Sequence, residues 1–169
     1  MFQQSFSSFD STLLVRDAQG CYLPASSDQI LEAARQVVDQ KMTRGTAFSS
    51  PATVKEYLTT KLSGLDVEVF AVLFLDSQHC LIEYVEMFQG TLSQTSVYPR
   101  EVVRAALDRH AAAVIVAHNH PSGVPEPSAA DKALTSHLKA ALALMDIRTL
   151  DHIIVAGQKT TSFAELGLL

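Results

Sequence analysis

Two apolar runs stand out along the chain, at residues 69–75 (VFAVLFL) and 111–117 (AAAVIVA), each only seven residues long. Short continuous runs of this kind predict strands buried on both faces rather than helices. Residues 80–88 follow a turn-like segment at 76–79 and predict an antiparallel partner for the first run. Residues 153–156 predict a last buried strand, and 162–166 an added edge. Helical spacing marks residues 27–42, with apolar positions 30, 33, 34, 37 and 38. It marks 129–145 as well, where Leu134, Leu138, Ala141, Leu142 and Met145 share a stripe. Ser50 then Pro51 opens a further helix to about Leu62, with Gly64 beyond it. Pro99 opens another, carrying Val102, Val103, Ala106 and Leu107. Residues 12–24 predict a hairpin around 17–20, and the prolines and glycine of 119–127 exclude regular structure there. Alternating strands and helices place the chain in the α/β (or α+β) class with one central sheet. A hairpin and helical prelude would occupy 1–63 and the main domain 64–169.

Composition narrows the class. Of 169 residues 47% are hydrophobic and 18% charged, which suits a packed core and not a disordered chain. Thirteen Lys and Arg against 18 Asp and Glu leave a net charge of −5, which counts against a general nucleic-acid binder. Two cysteines, Cys21 and Cys80, are too few for a disulfide framework or a thiolate zinc site. Residues 1–11 lack the basic and apolar regions of a signal peptide, and no run is long enough to span a membrane. A reducing, cytoplasmic setting is the expectation. The six histidines then become the main candidates for chemistry.

His118 and His120 stand at the end of the second apolar run. In an extended chain residues two apart point to the same side, about 6.6–6.8 Å apart, so both imidazoles can converge on one ion. Asp131 falls about one turn into the following helix and can face them if the loop folds back. Two histidines and one carboxylate leave a fourth position open, the pattern of a catalytic zinc site. An H-x-H pair also occurs in turns, and Ser128-x-x-Asp131 equally fits a helix capping box. Asn119 points away from the histidines by strand parity and is assigned to structure. Residues 121–123 would set the loop. His79, His110 and His137 are expected to be solvated, Cys80 to pack, and His152 to be a candidate for supporting a ligand from behind.

The joint pattern His118-x-His120-(x7)-Ser128-x-x-Asp131 resembles the JAMM motif of MPN+/JAB-domain metalloproteases. The words VYPREVVRAAL, AAAVIVAHNHPSGVPEPSAAD and LDHIIVAG resemble the RadC family within that group, over residues 65–169. The earlier part is similar to short RadC-like proteins of mobile elements, without the Gly-rich helix-hairpin-helix module. The resemblance implies a mixed sheet flanked by helices, as in cytidine-deaminase-like MPN domains. It also implies that His118, His120 and Asp131 hold Zn2+, that an upstream Glu takes a proton from water, and that Ser128 helps hold the oxyanion. Glu68, Glu83 and Glu86 are the candidates for that Glu. Glu68 is favoured because it precedes the first core strand, as the family's Glu does, and lies 50 residues before His118. Glu86 is next.

The leading expectation is a zinc-dependent peptidase or isopeptidase acting on a protein or peptide. A DNA-associated accessory role and a non-catalytic metal-binding scaffold are the competing classes. His118-Asn119-His120 spells the letters of HNH nucleases, but those residues are dispersed there and contiguous here. Arg100, Arg104 and Arg109 offer a small basic face, which a solvated helix surface also explains. The apolar positions around 87–92 offer a surface for a homodimer.

Overall fold

The computed structural model describes residues 13–48, 50–90 and 96–169. The leader reading at 1–11, residue 12 of the hairpin, and residues 91 and 92 of the dimer surface lie outside these. The described chain runs β1 (Leu14–Arg16), β2 (Tyr22–Pro24), α1 (Ser27–Lys41), α2 (Pro51–Leu62), β3 (Val69–Leu75), β4 (Leu81–Gln89), α3 (Pro99–Asp108), β5 (Ala113–Asn119), α4 (Ala129–Ala143), β6 (Arg148–Ala156) and β7 (Lys159–Ser162). β1 and β2 form a small antiparallel hairpin. The other five strands form one sheet in the order β4-β3-β5-β6-β7, with β5 and β6 parallel and every other pair antiparallel. The parallel pair follows from α4, since a crossover helix returns the chain in the same direction. The result is the expected α/β fold with a mixed sheet flanked by helices.

Strand parity divides the core in two. Ala71, Leu73, Leu75, Ala113, Ile115 and Ala117 pack beneath α2, against Val54, Tyr57, Leu58 and Leu62. Phe70, Val72, Phe74, Val114 and Val116 pack against Val102 and Ala106 of α3 and Leu138 and Leu142 of α4. His118 continues the second set, so its ring faces the α4 layer. The apolar stripe expected of α1 is mostly exposed, and only Val38 and the following Met42 reach the core.

Three strands differ from the hydropathy reading by two residues or more. The second buried strand lies at Ala113–Asn119, not 111–117, because Ala111 still closes α3 through its N–H to the Ala106 carbonyl. Its polar end stays paired, with His118 opposite both Phe70 and Ile154. The edge strand is Lys159–Ser162, not 162–166: Gly157, at φ 61°, makes a two-residue turn that pairs Ala156 with Lys159. The strand before it starts at Arg148, five residues earlier than the apolar run, because it pairs with β5 from Ala113 onward.

Buried Asp151 ties the end of this hairpin to the strand behind the histidines. Its carboxylate accepts from the His152 N–H at 2.7 Å, the Ser162 hydroxyl at 2.6 Å and the Ala164 N–H at 3.0 Å. Removing it orphans three donors. Asp151→Ala is therefore expected to lower stability by about 3 kcal/mol in urea denaturation; a change within about 0.5 kcal/mol would show that the hairpin does not need this anchor.

Candidate metal centre

The last residues of β5 and the first turn of α4 meet at one point. His118 is 1% exposed and His120, just past the strand end, is half-buried. Their Nε2 atoms are 2.9 Å apart. Asp131 Oδ1 lies 3.3 Å from His118 Nε2, and Oδ2 3.6 Å from His120 Nε2. One ligand atom from each of the three residues falls within 4.8 Å of the others, so the group could hold a metal ion.

The backbone around the rings decides where their protons sit. His120 Nδ1 lies 2.7 Å from the Val124 carbonyl, which only accepts, so Nδ1 carries hydrogen and Nε2 presents its lone pair. The loop that brings Val124 there is closed by the Gly123 N–H on the His120 carbonyl, with Gly123 at φ 76°. For His118 the chain is longer. Thr135 Oγ1 lies 2.6 Å from the Asp131 carbonyl and must donate to it. It therefore accepts from His152 Nδ1, also at 2.6 Å, leaving His152 Nε2 as an acceptor. His118 Nδ1 then donates to that nitrogen across 2.8 Å, and His118 Nε2 is left bare toward His120. Two lone pairs facing each other at 2.9 Å require a cation between or beside them, whether a proton or a metal ion.

Charge in the site agrees with that geometry. The Asp131 carboxylate beside it raises the His120 pKa; burial opposes it, and the Val124 carbonyl adds to it. Burial pushes the Asp131 carboxyl up, but the His118 and His120 rings and the Ser128 hydroxyl beside it together hold it far below the usual carboxylate range. His152 is driven well below its usual value, first by burial and then by His118, so it stays neutral behind the site.

Asp131 serves both readings of its position. Oδ2 accepts from the Ser128 N–H at 2.7 Å and its hydroxyl at 2.6 Å, completing a capping box. Oδ1 remains directed at His118. Ser128 and Glu68 both line the cleft above the histidines, a space of about 460 Å³ that also touches Phe70, Ser96 and Leu134. Glu68 follows the parity of Phe70, and its charge reaches His120.

Glu83 and Glu86 lie elsewhere. Glu83 sits opposite Phe74 and binds Arg109 at 2.6 Å, about 13 Å along the sheet from the His118 row. Glu86 accepts from the Tyr84 hydroxyl at 3.1 Å, on the α2 side. Arg109 also covers the Phe74 ring, so it is not part of a free face with Arg100 and Arg104. His110 and His137 are exposed, and His79 binds Arg148 at 3.0 Å. Among the described residues, the participant not anticipated from sequence is Thr135. Its signal is weak: it stands four residues after Asp131, on the same side of the helix.

The His118–His152–Thr135 chain generates one expectation. Thr135→Val removes the hydroxyl that sets the tautomers, so metal affinity should fall about 10–100-fold with the fold retained. Unchanged Zn2+ affinity in a competition titration would contradict the assignment.

The histidine and carboxylate shifts generate another. His120's folded pKa is raised, so its contribution to metal-free stability is full below ~6.5 and is lost as pH rises through the raised value. Asp131's is lowered, so its contribution holds above ~3.9 and is lost as pH falls through the lowered value. The thermal midpoint of metal-free protein should thus decline on the alkaline side of ~6.5, and His120→Gln should remove that slope. An equal slope in wild type and His120→Gln would refute the attribution.

Comparison with known proteins agrees with the site. The sequence model of the RadC-like JAB domain matches residues 48–168. A UPF0758 protein of Leptothrix cholodnii is 57% identical over 140 residues, covering 83% of this chain and 63% of the relative. One from Methylibium petroleiphilum is 58% identical over the same shares. One from Vibrio cholerae is 54% identical over 145 residues, 86% of this chain and 91% of its own length. The chain thus spans less than two thirds of the first two relatives and most of the third. With the matched domain covering the sheet, the histidines and the capped aspartate together, the chain belongs to the RadC family of JAB-domain proteins.

Proposed function

We propose that the chain is a zinc-dependent hydrolase of the JAMM type that cleaves peptide or isopeptide bonds in a protein or peptide substrate. The observation that supports this most is the convergence of two bare imidazole nitrogens and Asp131 Oδ1 on the floor of a cleft whose wall carries Glu68. Two imidazoles and one carboxylate are a donor set suited to zinc, and three protein ligands leave a coordination position for reaction. When bound, zinc polarises a carbonyl and brings the pKa of water toward ~7.

The chain's own residues supply the proton handling. The Glu68 carboxylate accepts the proton of the attacking water and returns it to the leaving nitrogen, so the C–N bond breaks to an amine and a carboxylate. Ser128 Oγ keeps its position by accepting from the Asp131 N–H at 3.1 Å. Its hydroxyl proton can turn from Asp131 toward a developing oxyanion without moving the oxygen. The Asp131 carboxylate stays ionised through the neutral range, where it is needed as a ligand. The acidic balance of the chain and the pairing of Arg109 with Glu83 favour a protein substrate over a phosphate backbone.

The test measures metal content and hydrolysis of a fluorogenic peptide library by wild type, His120→Ala and Glu68→Gln. His120→Ala should lose stoichiometric zinc. Glu68→Gln should keep zinc and lose about 10²–10⁴-fold in turnover. Wild type without stoichiometric metal, or Glu68→Gln at full activity, would overturn the reading.

A further inference from the structure

Asn119 separates the two histidines, and its side chain leaves β5 on the face opposite theirs. It is 3% exposed, and both polar atoms of its amide are spent on one short segment. Oδ1 accepts from the Val69 N–H at 2.7 Å, and Nδ2 donates to the Val67 carbonyl at 2.9 Å, with a longer contact to the Leu65 carbonyl at 3.5 Å. The residue between Val67 and Val69 is Glu68.

The backbone register explains why a side chain does this. Pairing between β3 and β5 runs from Leu75↔Ala113 to Phe70↔His118 and stops there. One step further Val69 would face Asn119, but the β3 ladder has ended there and Asn119 pairs only with Val155 of β6. The amide of Asn119 offers one donor and one acceptor, as a peptide group does, and extends the ladder by proxy. The Glu68 carbonyl is held from the other side by the Gly90 N–H at 2.8 Å. Both peptide groups that flank the Glu68 Cα are therefore pinned, one by its carbonyl and the other by both its carbonyl and its N–H. The backbone is thus fixed on both sides of Glu68, which lines the cleft that holds His118, His120 and Asp131.

We infer that Asn119 is the positioning residue for Glu68: one three-residue strand end aims both metal ligands forward and, through its middle residue, fixes the proton acceptor. The inference rests on the reading of Glu68 as that acceptor. A side chain that only filled a structural need would satisfy the Val67 and Val69 peptide groups without affecting what Glu68 faces.

The probe is Zn2+ alone, followed by 13C NMR of the side-chain carboxyls, with the Glu68 resonance assigned by its absence in Glu68→Gln. In wild type that resonance should move on addition of Zn2+. In Asn119→Leu, and in the milder Asn119→Asp that keeps the Val69 bond but loses the donor to Val67, the movement should fall by about half or more. Zinc affinity in both variants should stay within about threefold of wild type, short of the ~10–100-fold loss that follows from disturbing a ligand's own support. Full movement of the Glu68 resonance in both variants, or loss of zinc affinity in both, would overturn the inference. A wild-type Glu68 resonance indifferent to bound Zn2+ would instead overturn the reading of Glu68 as proton acceptor. Failure of wild type to bind Zn2+ would overturn the metal reading itself.

Discussion

Two imidazole nitrogens cannot rest 2.9 Å apart with their lone pairs opposed unless positive charge compensates them. Most of the local structure serves to create that situation. A backbone carbonyl at Val124 sets one ring, and a carbonyl at Asp131, acting through Thr135 and His152, sets the other. Carbonyls cannot donate, so the direction of every proton in the chain follows from them. The same α4 turn supplies the third candidate ligand: Asp131 gives its carbonyl to Thr135, one carboxylate oxygen to the helix cap, and the other to His118.

The sheet makes this arrangement stiff. His118 lies between β3 and β6, opposite Phe70 on one side and Ile154 on the other, so its Cα cannot drift. His152 is held by the Asp151 carboxylate through its N–H and is packed against the Phe163 ring, with centroids 4.6 Å apart. A buried neutral histidine in that position is costly unless both its nitrogens are paired, as they are here. The parallel β5–α4–β6 unit brings together residues 118, 131, 135 and 152 of the sequence, and antiparallel β3 adds Glu68 to the same end.

Much of this was legible in the sequence, for identifiable reasons. The strand at 69–75 matched residue for residue because seven apolar side chains buried on both faces leave hydropathy no ambiguity. The second strand was displaced by two residues because hydropathy ends at Ala117 while pairing continues through His118 and Asn119. Those polar residues are buried by virtue of hydrogen bonds, a property that a hydrophobicity pattern does not carry. Strand parity sent Asn119 away from the histidines correctly, yet gave no hint that its amide would brace the segment around Glu68. The JAMM pattern marked the three residues, His118, His120 and the capped Asp131, that the fold brings into one group able to hold a metal ion. Thr135 was not found, because its partner His152 arrives from a strand 17 residues later and only the crossover brings them together.

Everything above turns on His118 and His120 being held as Nδ1–H tautomers with both Nε2 atoms turned to a shared cation. Long-range 1H–15N NMR of the histidine rings, before and after one equivalent of Zn2+, tests it most directly. The expected result is Nδ1-protonated His118, His120 and His152. Zn2+ should then move the Nε2 resonances of His118 and His120 while His152 stays neutral. An Nε2–H tautomer at His118, or ring nitrogens unmoved by Zn2+, would contradict it.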